Sequence, residues 1–166
     1  MDKSFNYYPR VLVRTHDYRS VSFAIVQVFR VAWPEKSPFF ISKLVIDVKN
    51  LFAGKHDRLL PLDTAYHDFE HTLQAALCYS RLVVQRNLRG RLPAMTAEDF
   101  KRGLAAVLFH DSGYLKKVKD RAGTGAKYTR VHEQRSCQYA ADYLEKSGWE
   151  ADSIQAVQNM ILCTGP

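Results

Sequence analysis

Apolar residues recur every three or four positions along most of this chain, with polar residues between them, as in helices that bury one face. Val21, Ile25, Val28, Phe29 and Ala32 mark such a face over residues 19–32, with Ser20 as candidate N-cap and Trp33-Pro34 as the stop. A second helix is predicted over about 37–53, closed by Gly54. A long third is predicted over 64–86 through Phe69, Leu73, Ala76, Leu77 and Val84. Thr96 with Asp99 three residues on predicts an N-cap and an acidic first turn, opening a helix that ends near His110. Two more helices, over about 131–146 and 151–163, are closed by Gly148 and Gly165. Residues 112–130, including AGTGAKYT, read as a glycine- and lysine-rich loop. No period-two alternation predicts a strand beyond short extended pieces such as Val11–Val13. With no repeat, low-complexity tract or linker, the expectation is one all-α domain over residues 1–166.

The pattern is broken where polar residues occupy apolar positions. Phe100, Leu104, Val107 and Leu108 form the inward stripe of their helix, and the next member of that stripe is Asp111. The stretch LFHDSGY, residues 108–114, therefore drives a carboxylate inward at a helix C-terminus, where the helix dipole disfavours it. A buried charge is costly unless it is paired or bound to a metal. His110 extends the row of Gly103 and Ala106, whose small side chains leave space beside it. In YHDFEHT, residues 66–72, His67 and His71 are four apart and fall on one face of the predicted helix. That spacing suits two ligands of one metal, one ligand beside one catalytic group, or two plain surface histidines. Glu133 heads the stripe Cys137, Ala140, Leu144, next to His132 in RVHEQRS. Three predicted helices thus each carry a histidine or a carboxylate toward their buried side, near one end.

Composition narrows the setting. Of the 166 residues 46% are hydrophobic, enough for a real core, and no apolar run approaches the length of a membrane span. The N-terminal MDKSFNYYPRVLVR lacks the apolar stretch of a signal peptide. Cys78, Cys137 and Cys163 are odd in number and free of CxxC spacing, which predicts buried thiols in a reducing cytoplasm. The net charge of +7 is first a solvated basic surface and second a field attracting phosphoesters or nucleotides. Lys116, Lys117, Lys119 and Arg121 form a modest cluster that is either a solvated loop or a phosphate-neutralising patch. No alternation of basic and aromatic residues marks a nucleic-acid track, so nucleic acid is not an expected partner. GTGAKYT lacks the GKS/T ending of a P-loop and reads at most as a flexible lid.

Imidazole and carboxylate donors together suit zinc, iron, manganese, nickel or cobalt better than calcium. YHDFEHT, followed 39 residues after His71 by HD in LAAVLFHDSGY, resembles the HD-domain superfamily of metal-dependent phosphohydrolases. The tyrosine-histidine-polar-x-x-histidine form is similar to that of cyclic-nucleotide phosphodiesterases and their small relatives. HEQRS and NMILCTG resemble later landmarks of the same group, so the likeness covers about residues 62–165. It implies an all-α, phosphodiesterase-like helical bundle, with residues 56–166 as the metal-site core and 1–55 as supporting helices. It further implies that His71, His110 and Asp111 ligate one or two divalent ions, zinc, manganese, iron, nickel, cobalt or magnesium. His67 then matches the histidine that protonates the leaving oxygen, and Glu133 an acid or base that holds the attacking water. The implied activity is hydrolysis of a phosphomonoester or phosphodiester, such as a cyclic nucleotide, by metal-activated water. The partner is thus a small anionic phosphate ester.

The HD pattern is completed by a further aspartate beyond the ILxT landmark, whereas here ILCTGP ends at Pro166. Asp142 and Asp152 do not occupy the matching place. The expectation is a C-terminally incomplete bundle, or a site with three protein ligands, or one with reduced metal affinity. Two alternatives accompany the hydrolase: a non-catalytic HD module binding a nucleotide or protein partner, and an HD-type di-iron oxygenase.

Overall fold

Helix caps decide where the periodic segments begin and end, and the caps move several of the predicted boundaries. The computed structural model describes residues 13–56, 58–90 and 93–165, so the proposed extended piece at Val11–Val13 lies almost wholly outside them. Six helices follow one another: α1 (Tyr18–Ala32), α2 (Phe39–Phe52), α3 (Phe69–Arg89), α4 (Ala97–Phe109), α5 (His132–Lys146) and α6 (Ala151–Leu162). Among the described residues there is no strand, only an isolated antiparallel bridge between Leu59 and Lys117, and the fold is all-α. None of the described helices is long and apolar enough to cross a membrane.

The N-cap of α1 is Asp17, which accepts the Arg19 amide at 3.0 Å, rather than Ser20. Ser20 sits inside the helix and its hydroxyl accepts the Arg14 amide instead. The predicted start of α3 at residue 64 is corrected more substantially. Asp68 accepts the His71 amide at 2.7 Å and thereby fixes the first turn at Phe69. His67 is left outside the helix, in the lead-in segment. The Thr96–Asp99 pair forms the expected cap at α4 as a reciprocal capping box.

Helix α4 is central, touching α2, α3, α5 and α6, and Phe100, Leu104, Ala105, Leu108 and Phe109 are all buried. Gly103 lets α3 approach: a Cβ there would run into the Tyr79 hydroxyl, which donates to the Asp99 and Phe100 carbonyls at 3.3 Å. The space expected beside His110 in that row is therefore filled, at Gly103, by Tyr79. On one side α1 packs on α3 and α2 on α4, through Phe29, Trp33, Phe40 and Phe100 with ring centroids 5.1 to 6.5 Å apart. On the other side α5 and α6 pair with each other and close over α4. Of the cysteines only Cys137 is buried; Cys78 and Cys163 are exposed, and all three are free thiols.

Residues 112–130 differ from a free loop. They contain 3-10 turns at Ser112–Tyr114 and Gly125–Tyr128, held by a buried lysine. Lys116 Nζ lies 2.6 Å from Asp63 Oδ2 and donates to the Gly123 carbonyl at 2.5 Å, while Asp63 Oδ1 accepts the Gly125 amide at 2.7 Å. Burial raises the Asp63 carboxyl, but Lys116 and the Gly125 amide outweigh it and hold the group below its ordinary value. Lys127 adds bonds to Asp120 and to the Ala122 carbonyl. GTGAKYT is thus pinned rather than a free lid, and Lys116 is committed to the fold rather than to phosphate.

Candidate metal centre

Asp111 follows the C-cap residue of α4, on the stripe that points into the core, and its side chain is only 1% exposed. Three imidazole nitrogens crowd one of its oxygens. His67 Nδ1 stands 3.0 Å from Oδ2, His110 Nε2 3.1 Å and His71 Nε2 3.7 Å. The other oxygen, Oδ1, is buried with no hydrogen-bond partner. Buried carboxylate oxygens without partners are rare and call for an explanation such as an ion.

The proton inventory of His110 sharpens this point. Its Nδ1 lies 2.7 Å from the Val107 carbonyl, which can only accept, so Nδ1 carries the hydrogen. A neutral His110 then turns the lone pair of Nε2 toward a carboxylate oxygen, an arrangement that needs either a second proton or a cation between them. A carbonyl fixing one ring nitrogen so that the other is free to ligate is the usual support of a metal-binding histidine. Burial lowers the His110 pKa, but the bond and charge of Asp111 outweigh it, and the net shift is upward. His71 moves the other way: its burial outweighs the attraction of Asp111 and keeps the ring neutral to lower pH. Burial raises the Asp111 carboxyl, yet His110 and His67 together hold it below the ordinary range.

His67, His71 and Asp111 form a group whose ligand atoms all lie within 4.8 Å of one another and that could hold a metal ion. His110 stands at its edge, against the same Asp111 oxygen. His67 reaches the group from the lead-in to α3, where its own carbonyl accepts the Thr64 hydroxyl at 2.7 Å. The predicted one-turn spacing of His67 and His71 on a common helix is therefore replaced by a loop-and-first-turn pair, and both rings still converge on Asp111. The structure does not bring Glu133 into this group. Its Oε2 lies 3.3 Å from His132 Nδ1, and Gly165 packs against its other oxygen. Asp142 accepts from Gln138 and Asp152 lies in the first turn of α6, so neither carboxylate joins the group.

Sequence reasoning missed Tyr114. Its ring is sandwiched between His67 (centroids 4.7 Å, 24°) and His132 (4.5 Å, 17°), linking the lead-in to α3 with the start of α5. The only local hint was its place three residues after Asp111, because the stack joins positions far apart in sequence. Tyr66, 69% exposed, sets its ring 4.8 Å from that of His71 and forms the outer rim.

The turn after Asp111 is clamped from α5. Ser136 accepts the Gly113 amide at 2.8 Å and donates to the His110 carbonyl at 2.5 Å. Arg135 donates to the Gly113 and Leu115 carbonyls, both at 2.6 Å. No protein-family model, curated protein or solved structure matches this chain.

Metal binding and metal-free stability are expected to respond to pH with opposite signs. Metal ligation requires neutral imidazoles, so affinity for Zn²⁺ rises about tenfold per pH unit until His110 has lost its proton, then flattens. The raised His110 pKa stabilises the metal-free fold fully below the unfolded value of about 6.5, and this contribution fades as pH rises through the folded value. Competition with a chromophoric chelator and chelator-treated thermal melts, each from pH 5.5 to 8.5, check the two slopes.

Proposed function

We propose that this protein is a divalent-metal-dependent phosphohydrolase of the HD type, cleaving a phosphomonoester or phosphodiester, with cyclic and acyclic nucleotides among its candidates. The observation that carries the reading is the buried Asp111 carboxylate, with Oδ1 unpartnered and three imidazole nitrogens around Oδ2. The order of YHDFEHT, LFHDSGY and HEQRS supports the same reading. His71, His110 and Asp111 hold the ion, and His67 completes the polar wall of the site. When bound, a divalent ion supplies a Lewis acid for a phosphoryl oxygen and acidifies a water toward neutrality.

The protein's own part is orientation and proton transfer. With its Nδ1 directed at Asp111 and its ring stacked on Tyr114, His67 is held in one orientation that leaves Nε2 free. Its Nε2 is then the proton donor to the leaving oxygen, a role typically worth about 100- to 10,000-fold. Lys116 is excluded from phosphate binding by its bond to Asp63. The free thiols support a reducing, cytoplasmic setting.

Metal analysis with turnover of bis-p-nitrophenyl phosphate and a poorer-leaving phenyl ester tests the proposal. His71→Ala is expected to lose metal and turnover together. His67→Ala keeps the metal and loses at least about 100-fold in kcat on the phenyl ester, with a smaller loss where the leaving group departs unprotonated. Unchanged turnover in His71→Ala would sink the hydrolase. A non-catalytic HD module is the second reading, favoured because Asp111 is the only carboxylate in the group. It predicts metal binding without turnover of either ester.

A further inference from the structure

A second site lies between α2 and α5, away from the His/Asp group. A cleft of about 820 Å³ opens there, lined by the end of α2, by Lys55, His56, Arg58 and Leu59, by Lys117 and by one face of α5. Its floor is the Leu59–Lys117 bridge, tied by the Leu60 amide to the Lys116 carbonyl at 2.8 Å and the Val118 amide to the Arg58 carbonyl at 3.0 Å. One end is closed by Tyr143, whose hydroxyl donates to Asp47 at 2.5 Å.

Charge decides what this cleft can hold. Lys55, Arg58, Lys117 and Lys146 line it, are exposed, and have no ion-pair partner among the described residues. Arg135 adds a fixed fifth cation, stacked 3.5 Å over Tyr128 and bonded to backbone carbonyls. Of the two lining carboxylates, Asp47 is paired with Lys43 and bonded by Tyr143, while Asp142 accepts only from the neutral Gln138 amide and keeps its charge. The described lining thus stays basic, with five Lys and Arg side chains against one unpaired carboxylate. Four cations that line one concave surface, without an ion-pair partner among the described residues, focus a positive potential more than the same charges scattered over a convex surface. Compact polyanions, with several charges within a few ångströms, are the ligands that gain most from such a field.

We propose that this cleft binds a small ligand carrying two or more linked phosphates, either an inorganic oligophosphate or the phosphate chain of a nucleotide. The site is independent of the metal centre, since none of its lining residues belongs to that group. It also assigns to Lys117 the phosphate contact that Lys116, fixed on Asp63, cannot make.

Calorimetric titration of the chelator-treated full chain with sodium triphosphate, ATP and a short single-stranded oligonucleotide tests this at two salt concentrations. Triphosphate is expected to bind wild type and Asp111→Asn within twofold of each other, and more weakly at the higher salt. Lys55→Gln/Arg58→Gln/Lys117→Gln, all exposed positions whose folding is checked by circular dichroism, is expected to bind at least tenfold more weakly. Lys146→Gln alone reproduces part of that loss. ATP binding much tighter than triphosphate identifies a nucleotide, and equal binding an oligophosphate. The proposal is overturned if triphosphate fails to bind wild type, if the triple variant binds as wild type does, if Asp111→Asn removes binding, or if the oligonucleotide binds more tightly than either phosphate ligand.

Discussion

Replacing Asp111 with alanine lowers the affinity for divalent metal by at least about 100-fold, or about 2.8 kcal/mol. Groups that merely support a metal ligand already cost 10- to 100-fold when removed. Asp111 is the one carboxylate in the group and the point on which His67, His71 and His110 converge, so its loss removes both a donor and the organiser of the others. Asp111→Asn separates this from a folding defect. The amide keeps the volume and can donate to a neutral imidazole, so the metal-free variant at pH 8 should melt close to wild type while binding metal as poorly as the alanine variant. Calorimetry with Zn²⁺ and Mn²⁺ reads the loss, and affinity within threefold of wild type would remove the metal centre from this protein. His110→Ala and His67→Ala then identify the third ligand. Ligation by His110 predicts a loss above tenfold in the first and below threefold in the second; the compact trio of His67, His71 and Asp111 predicts the reverse.

Asp111 was legible because a helical stripe is a local rule. Phe100, Leu104 and Leu108 point inward, and the same period carries Asp111 to the core even though the regular helix ends at Phe109. Thr96 and Asp99 were legible for the same reason, since a capping box needs only four consecutive residues. The start of α3 was misplaced because two helix-compatible histidines outweighed the cap between them. Asp68, three residues before His71 and followed by Glu70 in the first turn, is itself a start signal. Lys116 and Tyr114 were out of reach on different grounds. Lys116 reads as one member of a solvated cluster until Asp63, far away in sequence, is placed beside it. The Tyr114 sandwich depends on two rings from separate elements, which no spacing rule brings together.

The same turn that follows Asp111 gives the largest expected effect on stability. Gly113→Ala should lower stability by about 3 kcal/mol, at the upper end of what overpacking usually costs, and Tm by about 6–12 °C for a chain of this size. A Cβ at Gly113 would run into the backbone carbonyl of His132, the first residue of α5, and backbone cannot swing aside as a side-chain tip can. Retreat is blocked as well. The Gly113 amide is held by Ser136, its carbonyl by Arg135, and Ser136 in turn grips the His110 carbonyl, so moving the turn outward breaks several buried bonds together. Gly123→Ala is the contrast, because that residue has φ 58° and open space around it. Its cost is conformational only, about 1–2 kcal/mol. Thermal melts of both variants, with and without saturating metal, check the ranking; a Gly113→Ala protein melting within 2 °C of wild type would mean that α5 does not clamp this turn. Where the variant still folds, its metal affinity should fall as well, because the displaced segment carries Asp111 two residues before the glycine and Tyr114 one residue after it. Close backbone approach at Gly113 and the placement of Asp111 are thus one constraint on the packing of α4 against α5, felt at both positions.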